Sequence, residues 1–158
     1  AAKIARAASR QTSITLSDSF CVERHRDSFL DLIRNDIDIV FANETEIKSL
    51  YQTEDFGAAT KAVAADCPIA VVTRSEKGCV VVKGGDILES PAHPVNTVVD
   101  VTGAGDLFAS GFLYGFTNGR TLYDSARLGS MAAAEVISHI GARPEVKLRT
   151  HAETLGLL

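Results

Sequence analysis

The sequence predicts an α/β fold in which a mostly parallel sheet is flanked by helices. Segments of strand character alternate with segments of helical periodicity along the 158 residues, which is the pattern of a sheet covered by helices. Residues 69–73 form a continuous β-rich run, typical of a strand that is buried on both faces. Two long helical segments follow a glycine-rich turn at 103–105. These features together place the strands in the centre and the helices on the outside.

The first half of the chain alternates between the two kinds of segment. The alanine-rich residues 1–10 are expected to form the end of a surface helix. Apolar residues recur at intervals of three or four in further helices, predicted at 23–35, at 44–51 and from Phe56 up to Pro68. Apolar and β-branched residues predominate in strands, predicted at 12–16, 38–43 and 69–73.

The second half begins with a hairpin and ends with two helices. The hairpin strands are predicted at 79–82 and 86–91, joined by the turn Gly84-Gly85-Asp86. The helices are predicted at 104–117 and 121–140. One face of the last helix carries apolar or small residues: Leu122, Ala126, Gly129, Ala133, Val136 and Ile140.

Composition excludes several classes of protein. Sixteen basic and twenty acidic residues give a net charge of -4 without a basic run, so we expect no nucleic-acid partner. No apolar run approaches the roughly 20 residues of a spanning helix, so a membrane protein is not expected. The three cysteines, Cys21, Cys67 and Cys79, lack C-x-x-C spacing. They are interpreted as buried, reduced thiols of a cytoplasmic protein rather than as a disulfide framework or a zinc site.

The glycine turn before the first long helix is the main chemical feature. Gly103, Ala104 and Gly105 let backbone N–H groups approach an oxyanion, and the helix dipole favours negative charge at this end. Asp106, in the first helical turn, can take a proton from an attacking hydroxyl. The alternative is a tight turn followed by an acid that the dipole alone favours.

Two familiar phosphate motifs do not account for this turn. The pattern G-x-x-x-x-G-K-[ST] is absent, which excludes a Walker-type site. A Rossmann interpretation uses Gly103, Gly105 and Asp124, but Phe108 stands where the third glycine belongs. Asp124 also lies inside a helical pattern instead of at the end of a second strand.

The stretch Asp100-Val-Thr-Gly-Ala-Gly-Asp106-Leu-Phe-Ala-Ser-Gly111-Phe-Leu resembles the carboxyl-terminal signature of the ribokinase-like PfkB family. The resemblance implies the carboxyl-terminal part of a ribokinase-like fold and ATP-dependent phosphorylation of a hydroxyl on a sugar or nucleoside. It also implies that Asp106 is the catalytic base and that the backbone from Gly103 through Ala104 and Gly105 forms the anion hole.

The segment Asn43-Glu44-Thr45-Glu46 resembles the N-x-x-E motif of the same family. The resemblance implies that Asn43 and Glu46 help to place Mg²⁺ and phosphate, largely through water. A hard cation suits oxygen ligands of this kind. An Asn followed by Glu at a helix start is also a common helix cap, which is the alternative.

The segment from Thr73 to Gly78 resembles the nucleotide-phosphate loop of the family, commonly T-x-G-x-x-G. The resemblance assigns Thr73 and Gly78 to nucleotide binding and makes Arg74 a candidate triphosphate contact. The alternative for Arg74 is a solvated charge at a strand end. Ser75 replaces the inner glycine, so a backbone conformation with positive φ is expected to change.

A monovalent-cation site of the family is implied at Asp100, Thr102 and Gly141, with K⁺ as the ion. Residues 141–144 have the character of a helix end. The four histidines lack metal-ligand spacing and are interpreted as structural or exposed.

The resemblance covers nearly all of residues 1–158 but only about the latter half of a family member. The chain is therefore expected to be the nucleotide-binding and catalytic part of a longer kinase, inactive by itself and prone to self-association into a homo-oligomer. Residues 16–26 resemble the adenosine-kinase branch, which favours a nucleoside over a sugar. The alternatives are a non-catalytic nucleotide-binding or regulatory domain and a Rossmann-type oxidoreductase fragment.

Overall fold

Five strands form one sheet in the order β1-β2-β3-β4-β5 in the computed structural model, which describes all 158 residues. Their bounds are β1 Ser13–Thr15, β2 Ile39–Asn43, β3 Ile69–Thr73, β4 Cys79–Lys83 and β5 Asp86–Ser90. β1 pairs parallel with β2, and β2 pairs parallel with β3. A two-residue connection such as the one between β4 and β5 can join only antiparallel neighbours. The prediction of a mostly parallel sheet is confirmed.

The chain divides into two units, residues 1–74 with 80–88 and residues 75–79 with 89–158. The first unit holds most of the sheet and four helices: α1 Ala2–Ala7, α2 Ser19–Asp36, α3 Glu44–Tyr51 and α4 Phe56–Asp66. Its core joins apolar residues of β2 to β4 with those of α2, α3 and α4, including Ile33, Leu50 and Val63. The first four residues of β2, β3 and β4 are buried whichever face they point to, as the apolar run 69–73 predicts.

The second unit is mainly helical. A 3₁₀ turn at Ser75–Lys77 precedes three helices: α5 Ala104–Thr117, α6 Leu122–Val136 and α7 Leu148–Thr154. Phe108 and Phe112 of α5 are buried, and Leu128 and Met131 of α6 pack with Ala152 of α7. None of the seven helices combines the length and the hydropathy that a bilayer crossing requires.

Several expected boundaries were wrong. α2 begins at Ser19 instead of residue 23, because the Asp18 carboxylate accepts a hydrogen bond from the Cys21 amide and caps the helix. α6 ends at Val136, so Ile140 lies outside the helix with an exposed fraction of 83%. The short helix α7 was not predicted. Cys67 and Cys79 are buried thiols as expected, but Cys21 is only half-buried.

Candidate functional site

The glycine turn of the second unit opens α5 in a conformation that requires glycine. Gly103 is the N-cap residue, with a φ of +82°. A Cβ at this position would lie 2.8 Å from Ala142 Cβ and 3.0 Å from Ala142 Cα. Positive φ and the close approach of Ala142 together exclude an ordinary L residue here.

The first turn of α5 presents unpaired backbone donors. The amides of Gly105 and Asp106 donate to no protein acceptor, whereas the Ala104 amide donates to the Val101 carbonyl at 3.2 Å. Unpaired N–H groups at the start of a helix are suited to bind an anion. Gly105 and Asp106 therefore fit the predicted anion hole better than Ala104 does.

Gly105 leaves open space in front of these donors. A Cβ built at Gly105 would meet no other atom within 4 Å, and the residue is exposed. The conformation of Gly105 is ordinary helix, so the fold itself does not demand glycine at this position. The absent side chain is what keeps the approach to the Gly105 and Asp106 amides open.

The Asp106 side chain is available for chemistry. It is exposed and makes no hydrogen bond or ion pair with any other residue. Asp106 lies in the same first turn of α5 as the unpaired amides. The arrangement can hold a phosphoryl group and accept a proton from an attacking hydroxyl.

The three residues implied for a monovalent cation lie together in the second unit. Asp100 Oδ1 accepts hydrogen bonds from the Thr102 hydroxyl at 2.7 Å and the Thr102 amide at 2.9 Å. Asp100 Oδ2 accepts from the Gly141 amide at 3.0 Å. These donors, the Thr102 hydroxyl first among them, lower the pKa of Asp100 to about 2. The carboxylate is therefore anionic at neutral pH, as a cation site requires.

The N-x-x-E segment lies in the first unit, at the carboxyl ends of β2 and β3. Asn43, the last residue of β2, is the register partner of Thr73 at the end of β3. Parallel strands bring these ends to one edge of the sheet, which is where α/β proteins place their ligands. The structure therefore brings Asn43, Glu46 and Thr73 into one neighbourhood.

Asn43 and Glu46 form a reciprocal helix cap. The Asn43 side chain accepts from the Glu46 amide at 2.8 Å, and Glu46 Oε2 accepts from the Asn43 amide at 2.9 Å. Asn43 Nδ2 donates to Glu46 Oε1 at 2.6 Å. Burial raises the pKa of Glu46, whose exposed fraction is 6%. The cap anticipated as an alternative is present, and both carboxylate oxygens are engaged by Asn43.

Arg74 is held by two residues that the sequence did not suggest. Its Nε lies 3.0 Å from Glu44 Oε2, and its guanidinium carbon lies 4.2 Å from the centroid of the Phe56 ring. The hydrogen bond from Arg74 lowers the pKa of Glu44. Arg74 is thus a paired, partly buried cation rather than a solvated charge, and its contact with a triphosphate stays a prediction.

The loop after β3 retains the conformation that the serine substitution was expected to change. Ser75 has a φ of +52° and Gly78 a φ of +85°. The Gly78 amide donates to the Ser75 carbonyl at 3.0 Å and closes the 3₁₀ turn. The expectation that Ser75 changes the loop was wrong in this respect, since serine adopts the left-handed region itself.

Mg²⁺ fits these residues only through water or phosphate. No group of three or more His, Cys, Asp or Glu side chains could hold a metal ion. Glu46, whose oxygens are both occupied by Asn43, is suited to hold an ordered water rather than the ion itself. Such an arrangement matches Mg²⁺, which commonly keeps several waters and binds substrate phosphates.

Asp124, which the Rossmann interpretation requires at a strand end, lies in the first turn of α6. The Thr121 hydroxyl donates to the Asp124 carboxylate at 2.7 Å, and the Asp124 amide donates back to Thr121 Oγ1 at 3.1 Å. Asp124 is therefore part of a helix cap. This position does not support a ribose contact.

Residues 1–148 match the model of the pfkB family of carbohydrate kinases. The cytidine kinase of Thermococcus kodakarensis is 38% identical over 121 residues, which are 75% of this chain and 43% of that protein. A probable sugar kinase from Rhizobium etli has a TM-score of 0.97 and 54% identity, over 99% of this chain and 48% of that one. The adenosine kinase of Sinorhizobium meliloti has a TM-score of 0.96 and 52% identity, over 98% of this chain and 47% of that one.

These matches confirm the predicted ribokinase-like α/β fold. The chain spans less than half the length of each of the three proteins.

Proposed function

The chain belongs to the pfkB family of carbohydrate kinases, and from this membership we propose that it is the nucleotide-binding and catalytic part of a sugar or nucleoside kinase. ATP is the proposed phosphoryl donor. Asp106 is the proposed base, and the amides of Gly105 and Asp106 are proposed to stabilise the transferred phosphoryl group. Thr73, Arg74 and Gly78 are proposed to contact the remaining phosphates.

The open first turn of α5 is the observation that carries this proposal. Two unpaired amides, a glycine whose Cβ direction is empty and an exposed carboxylate without a partner occur within two consecutive residues. The helix dipole alone would favour an acid here, but a turn that served only to start the helix would not need the open space at Gly105. The combination matches phosphoryl transfer, in which positioning and charge stabilisation supply most of the rate.

The proposed ions follow from the donor sets. We propose that the ATP phosphates and water molecules bind Mg²⁺, and that Asn43 and Glu46 hold the water. Asp100, Thr102 and Gly141 are proposed to bind K⁺, supported by the anionic Asp100 carboxylate and the proximity of the three residues.

A nucleoside is the proposed acceptor. The relatives named as a cytidine kinase and an adenosine kinase are 38% and 52% identical to this chain. The probable sugar kinase, at 54% identity, keeps a sugar as the second candidate.

Nucleotide binding directly tests the glycine turn and the first turn of α5, residues 103–106, which we call the phosphate turn. We expect the chain to bind ATP·Mg by calorimetry, and Gly105→Ala to weaken binding at least about tenfold, because a methyl group would hold the phosphate away from both amides. The same substitution should raise the free energy of unfolding by about 0.5–1 kcal/mol, since alanine is the better helix residue and meets no clash.

Thr117→Ala, at the opposite end of α5, is the matched control and should leave the affinity unchanged. If Gly105→Ala bound ATP·Mg as tightly as the unchanged chain, the anion-hole assignment would be wrong. Preference for NAD over ATP would instead favour the oxidoreductase alternative.

The role of Asp106 requires an acceptor site. A chimaera in which this chain replaces the matching segment of the Sinorhizobium adenosine kinase supplies one. We expect Asp106→Asn in the chimaera to lower kcat by at least about 10³-fold with little change in ATP affinity, because the base is lost while the amides remain. A loss below about tenfold would contradict the assigned role. A chimaera that binds ATP but never turns over would favour a non-catalytic nucleotide-binding domain.

A further inference from the structure

Glu135 is a buried carboxylate on α6 that the proposed reaction does not use. It stands alone in the apolar run Ala132-Ala133-Ala134-Glu135-Val136, and its side chain is only 8% exposed. A charge in such a position is costly unless its oxygens are well occupied. The groups that contact the Glu135 carboxylate therefore indicate its role.

The Glu135 carboxylate holds the segment that precedes α7. Oε1 accepts hydrogen bonds from the Glu145 amide at 2.9 Å and the Val146 amide at 3.3 Å. Hydrogen bonds to an ionised acceptor are about twice as strong as neutral ones. Glu135 thus fixes the far end of the segment 137–146, which we call the α6–α7 loop, to the body of α6.

His139 lies beside this carboxylate. Its Nε2 lies 3.4 Å from Glu135 Oε1, and its Nδ1 lies 3.8 Å from Glu145 Oε1. Glu135 Oε2 and His139 Nε2 are nevertheless buried without a hydrogen-bond partner.

The near end of the α6–α7 loop touches the turn that begins α5. The Gly141 amide donates to Asp100 Oδ2 at 3.0 Å. Ala142 leaves no room for a side chain at Gly103, because a Cβ at Gly103 would lie 2.8 Å from Ala142 Cβ. The Ile137 carbonyl, at the start of the loop, also accepts from the Val99 amide at 2.8 Å.

We propose that Glu135 is a positioning residue for the phosphate turn, acting through the α6–α7 loop on Asp100 and Gly103. Its two hydrogen bonds hold the loop at 145–146, and the loop holds the turn at 141–142. The amides of Gly105 and Asp106 lie two and three residues after Gly103, in the first turn of the helix that Gly103 caps, so their direction depends on this contact. The inference rests on the proposed function of the turn.

Three variants separate this role from general stabilisation. Glu135→Ala removes the acceptor of both amides. Glu135→Gln keeps one carbonyl oxygen that can accept the same two hydrogen bonds. Glu153→Gln is the matched control, because Glu153 is an acid on α7 whose side chain is 52% exposed and pairs only with Arg149.

Amide hydrogen exchange and ATP·Mg affinity are measured on the complete chain. We expect Glu135→Ala to accelerate exchange at Gly141 about tenfold or more beyond any change at the buried strand β3, and to weaken ATP·Mg binding about five- to tenfold. Glu135→Gln should restore both properties to within about twofold, whereas Glu153→Gln should alter neither.

Two outcomes would overturn the inference. One is unchanged exchange at Gly141 in Glu135→Ala, which would show that the carboxylate does not hold the loop. The other is faster exchange at Gly141 without any loss of nucleotide affinity, which would show that the loop does not position the turn.

Two further arms keep the result decisive. If Glu135→Ala fails to fold, Ala142→Gly tests the same link from the turn side and should weaken binding by a similar factor. If the unchanged chain binds no ATP·Mg, the proposed function fails by itself. Exchange at Ala104, whose amide donates to the Val101 carbonyl, then decides the positioning role in the Glu135 variants, and an exchange rate there that matches the unchanged chain would contradict it.

Discussion

Ser75 and Gly78 share the left-handed backbone region, yet only one of them is glycine. Ser75 has a φ of +52° and closes a 3₁₀ turn through its carbonyl, which accepts from the Gly78 amide. An L residue in this region costs roughly 1–2 kcal/mol. The loop therefore keeps its shape at a local energetic cost, which the phosphate-loop pattern of the family would avoid with glycine.

Substitution at these two positions should have opposite effects. We expect Ser75→Gly to raise the free energy of unfolding by up to about 1 kcal/mol, because relief of strain outweighs the greater freedom of glycine in the unfolded chain. Gly78→Ala should lower it by about 2 kcal/mol or more, since a Cβ would collide with the Ser90 carbonyl and lie 2.7 Å from the Ala92 amide nitrogen. Urea unfolding of both variants measures the two changes. A lower free energy of unfolding in Ser75→Gly would contradict the strain at Ser75.

The sequence was enough to propose the site residues, whereas it could not predict their partners. The motifs around Asp106 and Asn43 each lie within a few consecutive residues, so the sequence alone is enough to propose them. Arg74 is different, because Glu44 and Phe56 approach it only after β2, α3 and α4 have packed. Glu135 gave a weaker signal, as a single acid in an apolar helical run.

The bounds of helices and strands were predicted best where a nearby residue marks the boundary. The bounds of α3, α5 and β3 are those expected, since Asn43 and Gly103 mark the two helix starts. α6 ends early because the chain after Val136 turns toward Asp100, a contact between residues 41 positions apart. α7 was missed because Lys147, its N-cap residue, offers no side-chain cap. Long-range contacts of this kind leave no periodic signal in the sequence.

Strand β4 should make the chain sensitive to alkaline pH. Cys79 is buried, and burial raises the pKa of its thiol from 9.0 to about 12. Because the pKa of the folded thiol is the higher one, the contribution of Cys79 to the free energy of unfolding is complete below pH 9.0. This contribution is lost as the pH rises toward 12. Burial also raises the pKa of Cys67, which adds a loss of the same sign.

We expect the free energy of unfolding to fall steeply above about pH 9, with Cys79 contributing a slope of up to about 1.4 kcal/mol per pH unit. Cys79→Ala should remove this part of the slope whatever its effect on stability at neutral pH. Urea unfolding at a series of pH values gives both slopes. An identical slope for the variant would show that the folded thiol ionises as readily as the unfolded one.

At the scale of the whole molecule, the chain contains the residues proposed for the donor but spans less than half of its relatives. The phosphate turn lies in one unit, and the cap at Asn43 with Thr73 and Arg74 lies in the other. The sequence predicted this set of residues, and it predicted no group that would hold the acceptor. Binding of ATP and transfer to an acceptor should therefore be separable properties.

We expect the chain alone to bind ATP·Mg weakly and to phosphorylate neither cytidine, adenosine nor a panel of sugars. A freely diffusing acceptor forfeits most of the roughly 7–11 kcal/mol that positioning can contribute. Calorimetry measures the first property, and a coupled assay of ADP release with each acceptor measures the second. Robust acceptor-dependent turnover by the chain would show that it holds an acceptor site of its own.

The route of the polypeptide through its two units governs what a single cut can do. The chain leaves the first unit after Arg74, returns at Val80 and leaves again after Leu88. A protease that cleaves once between residues 75 and 79 would separate β1, β2 and β3 from β4 and β5, although β3 and β4 are hydrogen-bonded neighbours. Neither product would contain a complete unit. The nicked protein should migrate as two pieces on a denaturing gel and as one particle on a gel-filtration column, which makes this loop a natural place to divide the chain for reassembly from two separately expressed halves.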